Sequence, residues 1–238
     1  MRKSILHNWW LSDFGTQYST EYQALLDYAQ SISALPPSSQ IDKNSENTFI
    51  VKLKNIGVWN LADQILLLGA TKGDSSYSLI NIKNPGVDNG SNVNAVFTPG
   101  SGWLGNGTTQ YIRTNYVPST DASNLTLNNV GVLFYTPTAQ AGSATAVDFG
   151  GAGAAGVNAL YASLRTNTNQ IVYRLNGSTS RTGANSISSG VYHFKRTASN
   201  ALSVFKNASS LDAGTTASTS LCATELYVLA YNNNGTPA

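Results

Sequence analysis

The side chains in this sequence that could do chemistry are few and scattered. Glycoside hydrolysis needs two carboxylates flanking one bond, about 5–9 Å apart. Two acids at alternate positions of one strand would share a face and meet that need. Acids such as Asp121, Asp148, Asp212 and Glu225 are spread along the chain, and no pair falls inside any strand-like segment. His7 and His193 lie far apart. His193 alternates with Tyr192 and Phe194, so it is expected to face solvent or a loop, with no triad or metal partner beside it. The serine-rich turns contain no G-x-S-x-G elbow. Asp88-Asn89-Gly90 and Asn92 offer oxygens for calcium, but a single carboxylate makes a poor site and a plain turn is the better reading. Cys222 is the one cysteine. It allows neither an internal disulfide nor a cysteine metal cluster, and a small buried apolar role is expected. The run from Gly150 to Gly156 reads as a flexible loop. No Lys-Ser or Lys-Thr follows its last glycine, so it is not a phosphate loop. The residues therefore predict no enzyme, no cofactor and no metal.

Composition narrows the scaffold. The chain has 238 residues, enough for one or two domains. Charged residues are 11% and the formal net charge is +2, which gives no electrostatic footprint for nucleic acid. Ser, Thr, Asn and Gly make up roughly two-fifths of the chain, well above ordinary usage. Such residues favour turns and weaken helix interiors, so a mainly β fold with many tight loops is expected. No run approaches the ~20 apolar residues of a membrane span. Met1–Gly15 carries two basic residues but no apolar core of a secretory signal.

The elements follow from pattern. Residues 1–18 lack a period but carry Trp9, Trp10 and Phe14, which either pack back onto the domain or, as favoured here, dock onto a neighbouring subunit or particle protein. Ser19-Thr20-Glu21 opens a helix whose face is Tyr22, Leu25, Leu26, Ala29 and Ile32, and Pro36-Pro37 ends it. A second helix is expected from about Asn44-Ser45, with Phe49, Leu53 and Ile56 on one face and Gly57 at C′. Residues 19–63 then form a helical hairpin. Gln64–Gly69 has the length of a buried strand, and Tyr77–Ile82 is a second apolar run. Gly105-Asn106-Gly107 is a turn between Trp103-Leu104 and a strand at Tyr111–Thr114. Beyond it, period-2 alternation marks strands at Val130–Phe134, Leu160–Leu164, Ile171–Leu175, Tyr192–Arg196, Leu202–Phe205 and Leu226–Ala230. Asn176-Gly177 is a hairpin signal. This spacing indicates a sandwich or jelly roll over residues 64–238.

Gly107-Thr108-Thr109-Gln110-Tyr111-Ile112 resembles the G-T-x-x-Y-[VI] strand entry of laminin-G-like, concanavalin A-like sandwiches. Gly57-Val58-Trp59, the segment before Gly69, NIKNP at 81–85, GWLGNGTTQY at 102–111, SNLTLNNVGVLFY at 123–135 and FKRTASNALSVFKNAS at 194–209 follow one another as in a family of phage structural proteins. The resemblance covers about residues 22–235, and its last two motifs are the most specific. It implies a concanavalin A-like jelly-roll sandwich preceded by a short helical segment. It also implies a non-enzymatic tail fibre, head fibre or other appendage of a virion, made in the host cytoplasm. The partners would be other virion proteins and further copies of the chain. A receptor-recognition module binding host glycan is the alternative, and a glycosidase a more distant one. Relatives continue past the segment resembling Tyr231–Gly235 with a strand and a helix. The sandwich is thus expected to lack its closing elements, and the edge near Leu226–Tyr231 to be covered by another segment.

Overall fold

A computed structural model describes residues 17–69, 71–144, 146–153 and 156–238. Trp9, Trp10 and Phe14 lie outside the described residues. The fold is mainly β, with a helical segment preceding the sheets.

Helix α1 (Thr20–Ser31) starts where Ser19 Oγ accepts from the Tyr22 amide, and it buries Tyr22, Leu25 and Ala29. Helix α2 (Gln40–Asn55) starts earlier than expected, capped by Ser39 Oγ on the Asp42 amide. Asp42 in its first turn and Lys52 and Lys54 in its last complement the helix dipole. Gly57 follows at φ 78°, the left-handed C′ position expected for it. The inward face of α2 differs from expectation. Glu46 and Ile50 are buried, Leu53 packs beside them, and Phe49 and Ile56 face solvent. A buried acid in the apolar stripe disguised the true face. A one-turn helix α3 (Val58–Leu61) follows.

Gln64–Gly69 is not a strand; its one ladder contact is an isolated bridge from Leu66 to Asn81. The second apolar run contains the end of a one-turn helix, α4 (Ser75–Ser78), capped by Asp74. Leu67, Tyr77, Ile80 and Ile82 instead complete the core under α1 and α2.

The strands are β1 (Ser91–Val93), β2 (Val96–Thr98), β3 (Gly102–Leu104) and β4 (Tyr111–Arg113). After a short helix α5 (Pro118–Asp121) come β5 (Val130–Thr136), β6 (Phe149–Ala152), β7 (Ala159–Ser163), β8 (Gln170–Gly177) and β9 (Arg181–Ala184). The remainder are β10 (Gly190–Arg196), β11 (Ala201–Lys206), β12 (Ser209–Thr215), β13 (Tyr227–Val228), β14 (Asn232–Asn233) and β15 (Thr236–Pro237). One sheet runs β1-β4-β13-β6-β7-β8-β9, with β14 and β15 joined to it through β6. The second runs β12-β11-β10-β5, and β2-β3 form a separate hairpin. The two large sheets share one core. Phe149, Leu160, Ala162, Ile171, Tyr173 and Leu175 from the first meet Val130, Tyr192, Phe194, Leu202 and Val204 from the second. Phe194 packs edge-on to Phe149 with ring centroids 5.5 Å apart. Neither sheet closes on itself.

The expected alternation holds in β5, in β8 from Ile171 to Leu175 and in β10, because each has one face on this core; in β7 and β11 the outward Ser163 and Ser203 are buried as well. Three local expectations fail. Residues 150–152 are not a loop but part of β6, buried along its length between β7 and β13. Glycine is what lets this strand fit: a Cβ on Gly150 would lie 2.3 Å from the Leu160 carbonyl oxygen, and one on Gly151 2.8 Å from that of Glu225. Asn176-Gly177 is not a hairpin turn but a bulge. Ala159 pairs with Gly177 and Leu160 with Leu175, leaving Asn176 as the extra residue at φ 55°. The Asn-Gly pair that does turn a hairpin is Asn234-Gly235, between β14 and β15. Finally, the segment near Leu226–Tyr231 is not an edge awaiting cover. β13 pairs with β4 on one side and β6 on the other, both from the same chain.

Candidate functional site

The four acids singled out by sequence are each committed to a structural partner. Asp212 Oδ2 accepts from Arg181 Nε at 2.6 Å and from the Tyr173 hydroxyl at 2.8 Å, and its Oδ1 accepts from Arg181 Nη2 at 2.8 Å. This bidentate pair ties β9 of one sheet to β12 of the other, and the Arg181 guanidinium holds the carboxyl below its usual range. Glu225 takes both Nε and Nη2 of Arg113 on one oxygen and the Asn115 amide on the other. Asp121 closes the turn of α5 by accepting from the Val117 amide at 2.6 Å. Asp148 accepts from the Leu164 amide at 2.6 Å. The residue as a whole is half-buried, but its carboxylate lies deep among protein atoms, and burial pushes its pKa up to about 6.

The other sequence candidates fall as follows. His193 is exposed on the outer face of β10, its pKa lowered by partial burial and then by Lys195. Cys222 is fully buried, with Sγ 3.3 Å from the Gly151 carbonyl oxygen. Asn89 Oδ1 accepts from the Asn81 and Gly86 amides, and Asn92 Oδ1 from the Ala95 amide, as in plain turns. Among the described residues no three His, Cys, Asp or Glu side chains converge as a metal site requires. No helix among them is long and apolar enough to cross a membrane.

Two acids that carry much of the polar architecture were missed. Glu46 on α2 is only 8% exposed. Its Oε2 accepts from the hydroxyls of Tyr22 at 3.1 Å and Tyr77 at 2.8 Å, while Oε1 has no partner in hydrogen-bond geometry. Burial raises its pKa, outweighing the tyrosines and the nearby Thr71 hydroxyl, which favour the ionised form. A sealed carboxyl between two phenols has no route to a substrate; it joins α1 and α2 to α4. Its spacing from Ile50, one helical turn along the buried face, was the available signal. Asp63 lies between the helices and the sheets. Its Oδ1 accepts from the Asn124 amide at 2.8 Å, and its Oδ2 from the Leu125 amide and the Tyr116 hydroxyl, each at 3.0 Å. Burial alone would raise its pKa, but the two amides and the hydroxyl reverse the sign and lower it.

What remains is surface. Of the twelve tyrosines, seven are buried and only Tyr135 is largely exposed. Tyr135 and Leu133 project from the outer face of β5, beside Val191 and His193 of β10. Comparison of the chain with protein-family models, curated proteins and solved structures finds no match.

Proposed function

We propose that this chain is a non-enzymatic structural component of a phage particle, a fibre or other head- or tail-associated protein, whose two sheets form a concanavalin A-like jelly-roll sandwich and which assembles as a homo-oligomer. The motif order from residue 57 to 209 motivates the reading. The observation that carries it is the state of the four acids singled out by sequence: Asp121, Asp148, Asp212 and Glu225 are each taken up by a backbone amide or an arginine of the fold. The buried tyrosines favour this over glycan recognition, which uses exposed rings. A map of the particle with this fold located in its appendages is the expected result. Hydrolysis of a polysaccharide by the purified chain, abolished by a single carboxylate substitution, would overturn it. Sugar binding on a glycan array would move the reading to receptor recognition.

A further inference from the structure

We propose that two copies of this chain join edge to edge through β5, antiparallel, with Leu133 on the twofold axis between them. β5 ends the four-stranded sheet, and among the described residues no strand pairs its far side. The backbone shows which groups point there. The Val191 carbonyl oxygen accepts from the Asn207 amide and the Val191 amide donates to Asn207 Oδ1, so Val191 faces β11. Amide direction alternates along an antiparallel strand, so Tyr192, Phe194 and Arg196 face β5. Their partners Phe134, Val132 and Val130 therefore bond to β10. Gly131, Leu133 and Tyr135 turn their N–H and C=O groups outward, a ready template for another strand.

The usual protections of an edge are missing from β5. It contains no charge, no proline and no bulge. The opposite edge of the same sheet is different: β12 is tied to β9 by the Arg181–Asp212 pair, and the β11–β12 ladder is bulged at Val204/Phe205. The side chains of β5 are also self-complementary. Antiparallel pairing about Leu133 sets it against the same residue of the partner and places each Tyr135 opposite the partner's Gly131. A Cβ at Gly131 would meet nothing within 4 Å, so the neighbouring ring has room to cover it. The seam would bury Leu133 and Tyr135, now 64% and 56% exposed, and shelter Val132 and Phe134, which point inward yet are only half-buried.

This inference deepens the self-association part of the proposed function but rests on backbone geometry alone. Its test uses the full chain in sedimentation velocity over a concentration series. The wild type is expected at twice its 25.2 kDa mass, dissociating on dilution. Leu133→Pro removes the central outward N–H without touching the bonds to β10, an edge position where proline is tolerated. It is expected to sediment as one chain with an unchanged far-UV spectrum. Should it not fold, Leu133→Lys, which sets two ammonium groups at the axis, is read instead with the same expectation. Amide exchange adds a second readout: Gly131, Leu133 and Tyr135 should lose protection on dilution while Val132 and Phe134 keep it. A wild type that is a single chain at every concentration, or a dimer that survives Leu133→Lys, overturns the proposal. Protection at the three outward amides that does not change on dilution also overturns it, because the chain's own residues would then cover the edge. Whether the protein resides in a particle is measured separately and is untouched by these outcomes.

Discussion

Glu46 lies in the cluster under the helices and Arg196 in the core between the sheets, and both are removed from water without an ion-pair partner. Arg196 is 1% exposed. Its Nε donates to the Leu175 carbonyl at 2.7 Å, and its Nη1 donates to Ser199 at 2.8 Å, Thr216 at 3.0 Å and Ala198 at 3.3 Å. Each residue keeps one buried atom unbonded, Nη2 on Arg196 and Oε1 on Glu46. The chemistry then diverges. A guanidinium stays charged at any accessible pH, so the sheet core surrounds it with backbone carbonyls. A carboxyl can take up a proton, so the helical cluster can hold it with two hydroxyls and leave an oxygen bare. The sheet core is thereby insensitive to pH at this point and the helical cluster is not.

The sharpest way to break that contrast is Arg196→Met, which keeps much of the volume and removes every donor. Carbonyls on β8, on the turn from β10 to β11 and just after β12 would lose the guanidinium together, although those of Ser199 and Ala198 keep the amides of Ser218 and Ala201. Hydrogen bonds to charged groups contribute about 1.5–3 kcal/mol each, and they do not add fully. A loss of about 3–4 kcal/mol in urea unfolding is expected, with no pH dependence between 5 and 8, an interval in which arginine does not titrate. An unchanged midpoint would mean the carbonyl cage is incidental.

Asp63→Ala comes next. It frees the amides of Asn124 and Leu125 and the Tyr116 hydroxyl at the seam between helices and sheets. About 1.5–3 kcal/mol should be lost. The pH sign follows from the lowered folded-state pKa. Its contribution is complete above the unfolded carboxyl value near 4 and is lost as pH falls through the folded value. Wild type and variant should therefore converge in acid, and a constant difference down to low pH would exclude this linkage.

Phe134→Ala tests the sheet core at its margin. Full burial of phenylalanine would make truncation cost about 3–5 kcal/mol. Phe134 points inward and stacks on Phe149 at 5.3 Å, but it sits half-buried on the open strand, so about 1–2 kcal/mol is expected by scaling that range. A melting temperature that does not move would put the β5 register in doubt. The same strand shows what was legible in advance. The alternation of Val130, Val132 and Phe134 against Leu133 and Tyr135 fixes its face, since one side of the strand is buried. The helix start at Ser19, the Gly57 cap and the left-handed Gly107 beside Asn106 were equally readable, because capping and left-handed backbone are local chemistry. β6 was not readable, because glycines chosen for close approach look like loop residues. The inward face of α2 was not, because its key residue is an acid whose partners lie 24 and 31 positions away. The structural use of Asp63 depends on residues about 60 positions distant, which no spacing rule reports.

Glu46→Gln has the smallest expected effect and the opposite sign. Burial is the largest influence on Glu46 and raises its folded-state pKa above the unfolded value near 4.3. The folded state then binds its proton more tightly than the unfolded chain. Stability from this group is greatest below the unfolded pKa and falls as pH rises through the folded one. At neutral pH, above the unfolded value, the wild type carries a penalty for an acid held in a dry cluster. Glutamine still offers an oxygen to the hydroxyls of Tyr22 and Tyr77, supplies an amide group beside Thr71, and never ionises. The variant should therefore melt higher than wild type at pH 7 and match it at pH 4, with the gap opening as the carboxyl ionises. If the gap is the same at both pH values, the effect belongs to packing and not to charge. If the variant is less stable at pH 7, the ionised carboxylate is the form that the two tyrosines are built to hold, and the contrast with Arg196 collapses.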